Sequence, residues 1–202
     1  MLDDGQNRVI VAITGATGVI YGVRALQMLQ PTGIEAHLIL SQWGARTLVH
    51  ETDYRPEDVK RLATRSYPMN DLGAVVSSGS FLTRGMLIAP CSVRTLGAIA
   101  HGTGDNLIHR AADVILKERR KLVLAVREAP LSTIHLENMS KLSQMGAVIS
   151  PPVPAFYPRP QTLDEMIDFT VVRLLDQLGI HLAQEGRWEG FMLPGVRAGL
   201  EE

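Results

Sequence analysis

Residues 107–130 read LIHRAADVILKERRKLVLAVREAP, the pattern of a helix feeding a buried strand that ends on Arg127-Glu128. Leu107, Ile108, Ala111, Val114 and Ile115 recur at spacings that place them on one apolar helix face. Arg110 and Lys117, seven residues apart, share another face, and Asp113 between them is expected within ion-pair reach of both. Leu122 to Val126 is an unbroken apolar run, which suits a central parallel strand covered on both sides. Its ending on a cation and an anion, with Pro130 just beyond, puts a charged pair at the carboxyl edge of a sheet, where open α/β sheets bind ligands. Arg110, Lys117, Arg119, Arg120, Lys121 and Arg127 here outnumber Asp113, Glu118 and Glu128, although the whole chain carries a net charge of −1. A local positive field in a near-neutral chain points to a small anionic ligand, not to a broad nucleic-acid surface.

Working outward, the same unit repeats. GMLIA (85–89) reads as a strand running through Pro90 to Thr95 into a helix that reaches about His101, with Ser92 as its N-cap. RVIVAI (8–13) reads as the first strand and runs through Thr14-Gly-Ala-Thr-Gly18 into a helix over 19–29. A strand, a small-residue turn and a helix start form the unit that binds phosphate on helix N–H groups, although such a turn also serves simply to reverse the chain. AHLIL (36–40) is the second strand and ends at Ser41; helices over 42–50 and from Pro56 to about Thr64 follow. Residues 66–83 show little periodicity and include the small hydroxyl turn Ser77-Ser-Gly-Ser80. Each helix N-terminus carries about half a positive charge, so two on one sheet edge suit a phosphorylated cofactor.

Downstream, a helix over 132–145 and a short buried strand AVIS (147–150) precede the proline-rich, extended loop PPVPAFYPRP (151–160). Thr162 caps a last helix over 163–178 that carries Arg173. Residues 1–7 are expected to be a loose N-terminus, and 183–202 an arm whose Trp188 invites contact with another subunit. Alternating strands and helices give an α/β class: a single-domain doubly wound, Rossmann-like or flavodoxin-like parallel sheet with helices on both faces, spanning 1–202.

Composition sets the outer limits. A chain of 202 residues with 46% hydrophobic and 20% charged content is an ordinary globular domain. Its charge gives no reason to expect nucleic acid or an anionic membrane as partner. Cys91 is the single cysteine, so no internal disulfide forms, and a reducing cytoplasm is the natural compartment. A buried, small-residue role suits it better than nucleophilic chemistry. No signal peptide, no membrane-spanning run and no metal-binding motif is expected. His50, His101, His109 and His135 are scattered and receive no role.

On these residues the chain resembles the UbiX-type flavin prenyltransferases, from about Arg8 to Arg173 and more loosely through Trp188. The matching pieces are TGATGVIYG (14–22), HETD (50–53), SSGSF (77–81), APCSVRTL (89–96), RAADVILKERR (110–120), VREAPL (126–131), PPVPAFY (151–157) and RPQTLDE (159–165). The resemblance implies joining of a dimethylallyl group from dimethylallyl phosphate to N5 and C6 of reduced FMN, without a metal. The product, prenylated FMN, would serve a UbiD-type decarboxylase of ubiquinone or aromatic-acid pathways. It further implies a homo-oligomer, a dodecamer built from trimers with sites between subunits. Carried over by position, Gly15, Ala16, Thr17, Ser41, Ser92, Val93, Arg94, Thr95 and Arg127 would hold FMN. Lys117, Tyr157 and Arg173 would hold dimethylallyl phosphate, with Arg110 reaching a neighbouring subunit's site. Glu51 and Glu128 would be the acidic residues near phosphate and flavin, and Trp188 the aromatic residue approaching the prenyl group. Thr17 stands where the family usually has serine; the hydroxyl is kept, and the added methyl restricts its rotamer. Two other readings are a direct flavin-dependent decarboxylase and an FMN-binding accessory subunit of an aromatic-acid decarboxylase. The absence of P-x-M-N in the late loop counts against the first, and retention of Lys117, Glu128, Tyr157 and Arg173 against the second.

Overall fold

The apolar runs become the strands β1 (Arg8–Ile13), β2 (Glu35–Leu40), β3 (Arg65–Tyr67), β4 (Gly85–Cys91), β5 (Lys121–Val126) and β6 (Val148–Ile149). They pair in parallel in the order β3-β2-β1-β4-β5-β6. The structure is a computed structural model and describes residues 5, 7–183, 186–188 and 190. Between the strands run α1 (Val19–Leu29), α2 (Gln42–Glu51), α3 (Pro56–Leu62), α4 (Val93–His101), α5 (Leu107–Lys117), α6 (Thr133–Gln144) and α7 (Leu163–Asp176). This is the doubly wound α/β architecture expected from the sequence.

β5 shows why its sequence is continuously apolar. Leu122, Leu124 and Val126 face the core layer of α4, α5 and α6, while Val123 and Ala125 face that of α1 and α7. In α5, Leu107, Ile108, Ala111, Val114 and Ile115 are all buried, as the spacing predicts. Burial of each such large side chain stabilises the fold by about 1.5–3 kcal/mol. A bidentate Arg24–Asp168 pair, at 2.6 and 2.5 Å, adds a polar link between α1 and α7 on the second face.

Three local differences from the sequence reading have physical causes. β3 lies in a stretch without apolar periodicity; it is three residues long and pairs only with β2, so no run of buried residues announces it. Thr64, expected inside a helix, instead accepts the Ala36 N–H through its hydroxyl at 3.1 Å and leads the chain into that edge strand. β4 continues past Ala89 through Pro90 and Cys91, with a register shift against β5 where proline has no N–H to donate. β6, expected to be buried, is an edge strand and only half-buried. The expected loose N-terminus (1–7) and C-terminal arm (183–202) fall largely outside the described residues.

α5 ends with Arg119 in the left-handed region at φ 57°. The Arg120 N–H reaches back to Ile115 O at 2.9 Å and the Arg119 N–H to Leu116 O at 3.0 Å, a helix stop that normally uses glycine. Arg119 is exposed. Arg119→Gly is expected to stabilise the protein by about 1 kcal/mol, read as a higher denaturation midpoint at unchanged slope.

Candidate functional site at the carboxyl edge of the sheet

β1 lies at the point where the sheet order reverses: the chain leaves it toward β2 on one side, while β4 flanks it on the other. Connections diverge there and leave a crevice. Thr14, 2% exposed, stitches the crevice floor. Its hydroxyl donates to Pro90 O and accepts the Ser92 N–H, each at 2.8 Å. The Ser41 N–H donates to Ile13 O and the Arg127 N–H to Cys91 O, both at 3.0 Å. Four strand ends are thereby held in register around one opening.

A cavity of about 630 Å³ occupies that opening. It is lined by Gly15, Ala16, Thr17, Ser41, Ser92, Val93, Arg94, Thr95, Arg127 and Glu128, ten of the residues singled out from the sequence. Gly15 is required by close approach: a Cβ there would fall under 3.0 Å from the Cβ of Trp43. Ser41 caps α2 by accepting the Gly44 N–H at 2.8 Å, and Ser92 caps α4 by accepting the Thr95 N–H at 3.3 Å. Gly18, at φ 90°, opens α1. The starts of α2, α4 and α5, with the Gly15–Thr17 turn that precedes α1, thus meet one cavity, and the helix dipoles add to the charge of Arg127 to favour an anion.

Several lining residues were missed from the sequence. Trp43, 58% exposed, stands at the cavity with Arg46 stacked 4.8 Å from its ring centroid. Asp105, Asn106 and His109 enter from the start of α5, and Met69 from the loop after β3. His109 is 6% exposed, and burial pushes its pKa below the usual imidazole value, so its ring is neutral near pH 7. The available signal was position: Trp43 follows Ser41 on the helix that leaves β2. Asn106 caps α5 by accepting the His109 N–H at 3.1 Å. Cys91 is fully buried, and desolvation pushes its thiol up to about 12. It is no thiolate nucleophile.

The remaining sequence-predicted site residues lie outside this cavity in the single chain. Glu51 caps α1 from a distance in sequence: its carboxylate accepts the Gly18 N–H at 2.9 Å and the Val19 N–H at 3.4 Å. Asp113 pairs with Arg110 at 2.8 Å, but not with Lys117, which pairs with Glu118. The expectation that Asp113 serves both cations is therefore corrected: the adjacent carboxylate captures the lysine. Lys117 also abuts the Ser78-Gly79-Ser80 turn, whose carbonyl at Gly79 accepts from Arg120 at 2.6 Å. Helix rise places Lys117 about 12 Å along α5 from His109. Tyr157 packs edge-on against Phe169 and Trp188, with ring centroids 5.4 and 5.5 Å away. Arg173 pairs with Asp176 at 2.8 Å. Among the described residues there is no group of three or more His, Cys, Asp or Glu that could hold a metal ion, and no helix long and apolar enough to cross a membrane.

Comparison with known proteins identifies this arrangement. The model of the family described as Flavoprotein matches residues 2–174. A probable UbiX-like flavin prenyltransferase of Bacillus subtilis (strain 168) is 54% identical over 186 residues, covering 92% of this chain and 91% of that protein. A dodecameric FMN-dependent UbiX-like decarboxylase of Escherichia coli O157:H7 superposes with a TM-score of 0.89 at 50% identity, over 91% of this chain and all of that one. A UbiX protein solved with FMN and dimethylallyl pyrophosphate gives a TM-score of 0.87 at 47% identity, over 92% and 99% of the two chains. With a family model spanning most of its length and relatives about half identical over nine-tenths of it, this chain belongs to the UbiX-type flavin prenyltransferases of the flavoprotein family.

Proposed function

We propose that this chain joins a dimethylallyl group from dimethylallyl phosphate to reduced FMN and supplies the prenylated flavin to a UbiD-type decarboxylase in the cytoplasm, working as a dodecamer. The observation that carries this reading is the cavity at the sheet reversal, where three helix starts and Arg127 converge. Its size falls within the roughly 300–1,000 Å³ of pockets that take cofactors and drug-sized ligands. Its donors, backbone N–H groups and hydroxyls beside a guanidinium, fit a phosphorylated flat ligand such as FMN.

Reduced FMN supplies the nucleophilic N5 and C6 positions when bound. The turn at Gly15, Ala16 and Thr17, with Ser41 and the Ser92–Thr95 segment, holds its polar and anionic parts on helix-start N–H groups. Arg127 adds a fixed positive charge at the end of β5. Lys117, Arg110, Tyr157 and Arg173 hold the phosphate of the prenyl donor and stabilise it as it departs. Because these four lie outside the cavity of their own chain, neighbouring copies complete the site. Glu128 donates a proton to the leaving phosphate, and Tyr157 and Trp188 offer π faces to allylic cation character. Glu51 acts by anchoring the start of α1, and the Thr17 hydroxyl sits in the turn that faces the flavin.

The test is anaerobic incubation with reduced FMN and dimethylallyl phosphate, followed by mass analysis of the released flavin. A flavin heavier by one C5 unit is expected. Unmodified FMN from a protein that binds it would overturn the transferase reading and favour direct decarboxylation, the activity named for the E. coli structural relative.

A further inference from the structure

Asp176 ends α7 with its side chain only 5% exposed, and among the described residues its ion-pair partners are Arg173, His181 and Arg187. Its Oδ2 accepts from Arg173 Nη1 at 2.8 Å and from Arg187 Nη1 at 2.9 Å. Its Oδ1 accepts from Arg187 Nη2 at 3.0 Å and lies 3.0 Å from His181 Nδ1. Arg187 therefore grips the carboxylate with both prongs of its guanidinium, the most directional ion-pair geometry available to a protein. A further donor bond from Arg187 Nη2 to Leu182 O, at 3.2 Å, closes the arm on itself.

That grip sets where the next residue falls. Gly186, at φ 77°, turns the chain back, and a Cβ there would lie 3.0 Å from Pro158. Arg187 follows onto Asp176, and Trp188 onto Tyr157 at 5.5 Å with the ring planes 81° apart. Tyr157 is fixed from its other side by Phe169, which is 5% exposed. Burial alone would push the Asp176 carboxyl up, but hydrogen bonds from Arg187, His181 and Arg173 outweigh it and hold the group at about 2. It is ionised at any pH where the enzyme works. Two guanidiniums share one carboxylate, and the surplus positive charge stands beside an aromatic wall.

We propose that Asp176 is a positioning residue that latches the arm, holding Arg173 and Arg187 so that Trp188 closes on Tyr157 beside the phosphate of the prenyl donor. This rests on the transferase reading above. Asp176 touches neither substrate; it acts through the two arginines and, by way of Arg187, through Trp188.

The test uses the full-length protein with two readouts. The first is Trp188 emission and acrylamide quenching in a Trp43→Phe background, which removes the only other tryptophan. The second is steady-state prenyl transfer. Asp176→Asn and Arg187→Met are expected to red-shift the emission and increase quenching. Both are also expected to lower kcat/KM for dimethylallyl phosphate roughly a hundredfold, the scale of a displaced binding group. The loss falls mainly on KM, FMN affinity is unchanged, and Arg187→Lys recovers part of it. If Asp176→Asn does not fold, Arg187→Met, which alters a partly exposed side chain, carries the comparison. Unchanged emission, or changed emission with unchanged kcat/KM, overturns the latch. A parallel fall in FMN affinity overturns the positioning role in favour of a general structural one. A wild-type protein that binds FMN but makes no heavier flavin overturns the transferase reading instead, and the emission comparison still decides whether Asp176 holds the arm.

Discussion

Lys117→Ala is expected to lower prenyl transfer by about 10²–10³-fold, the cost of removing one preorganised charged donor from a developing anion, while FMN binding is retained. The separation of effects follows from geometry. The flavin cavity is built on the strand ends and the start of α5, whereas Lys117 closes the other end of that helix. In the single chain the ammonium meets Glu118 and the Ser78–Ser80 turn, with the lysine side chain 47% exposed. Such an exposed pair has little net value, so in the proposed shared site the lysine can exchange Glu118 for the phosphate dianion bound at another copy. The same geometry predicts the outcome of mixing variants. Lys117→Ala chains and Glu128→Gln chains are each expected to be nearly inactive as pure assemblies. Co-assembled, they are expected to regain activity, because sites that take Lys117 from one copy and Glu128 from another include some with both residues intact. Separation of purified mixed assemblies and measurement of turnover checks this. No recovery above the pure variants would mean that both residues serve the same chain's site.

The fold was legible where burial is continuous. RVIVAI, AHLIL, GMLIA and LVLAV are apolar because each strand is covered on both faces, and the structure confirms all four. β3 was illegible for the converse reason: Arg65-Ser66-Tyr67 sits at the sheet edge, and its residues become progressively buried only toward Tyr67. The cavity was legible through the turns that follow strands, since Gly15–Thr17, Ser41, Ser92–Thr95 and Arg127-Glu128 must all surface at one sheet edge once the strands are parallel. Asp105, Asn106 and His109 follow a loop instead of a strand, so the same rule does not reach them; only the packing of α5 against the sheet brings its start to the opening. The Lys117 pairing was misjudged because helix spacing alone makes Asp113 a partner for both cations. Arg110 occupies that carboxylate, and Glu118 stands next to the lysine. Of the Asp176 cluster only the Arg173 pairing follows from helix spacing; His181 and Arg187 lie beyond the end of α7, where no periodicity applies.

Gly22→Ala is expected to destabilise the protein by about 2–3 kcal/mol, whereas Gly97→Ala is expected to stabilise it by about 1 kcal/mol, although both replace a helical glycine by the best helix former. At Gly22, in α1, an added Cβ would lie under 3.0 Å from the carbonyl oxygen of Ala89 and from Cγ1 and Cδ1 of Ile13. Ile13 is fully buried and Ala89 belongs to β4, so neither neighbour can yield without moving the sheet. The helix must lift instead, and the Gly15–Thr17 turn that leads into α1 lines the cavity. FMN affinity should therefore weaken together with stability. At Gly97, in α4, the nearest atom to an added Cβ is Asn138 Nδ2 at 3.5 Å, an ordinary contact. There the substitution collects the helix-propensity gain with no steric cost. Thermal unfolding checks both. For a chain of this size each kcal/mol shifts Tm by roughly 2–4 °C, so the two variants should separate in opposite directions from the wild type. If Gly22→Ala melts at or above the wild-type temperature with FMN affinity intact, α1 is not seated on the sheet as closely as described, and the link from its seating to the Gly15–Thr17 turn at the cavity fails with it.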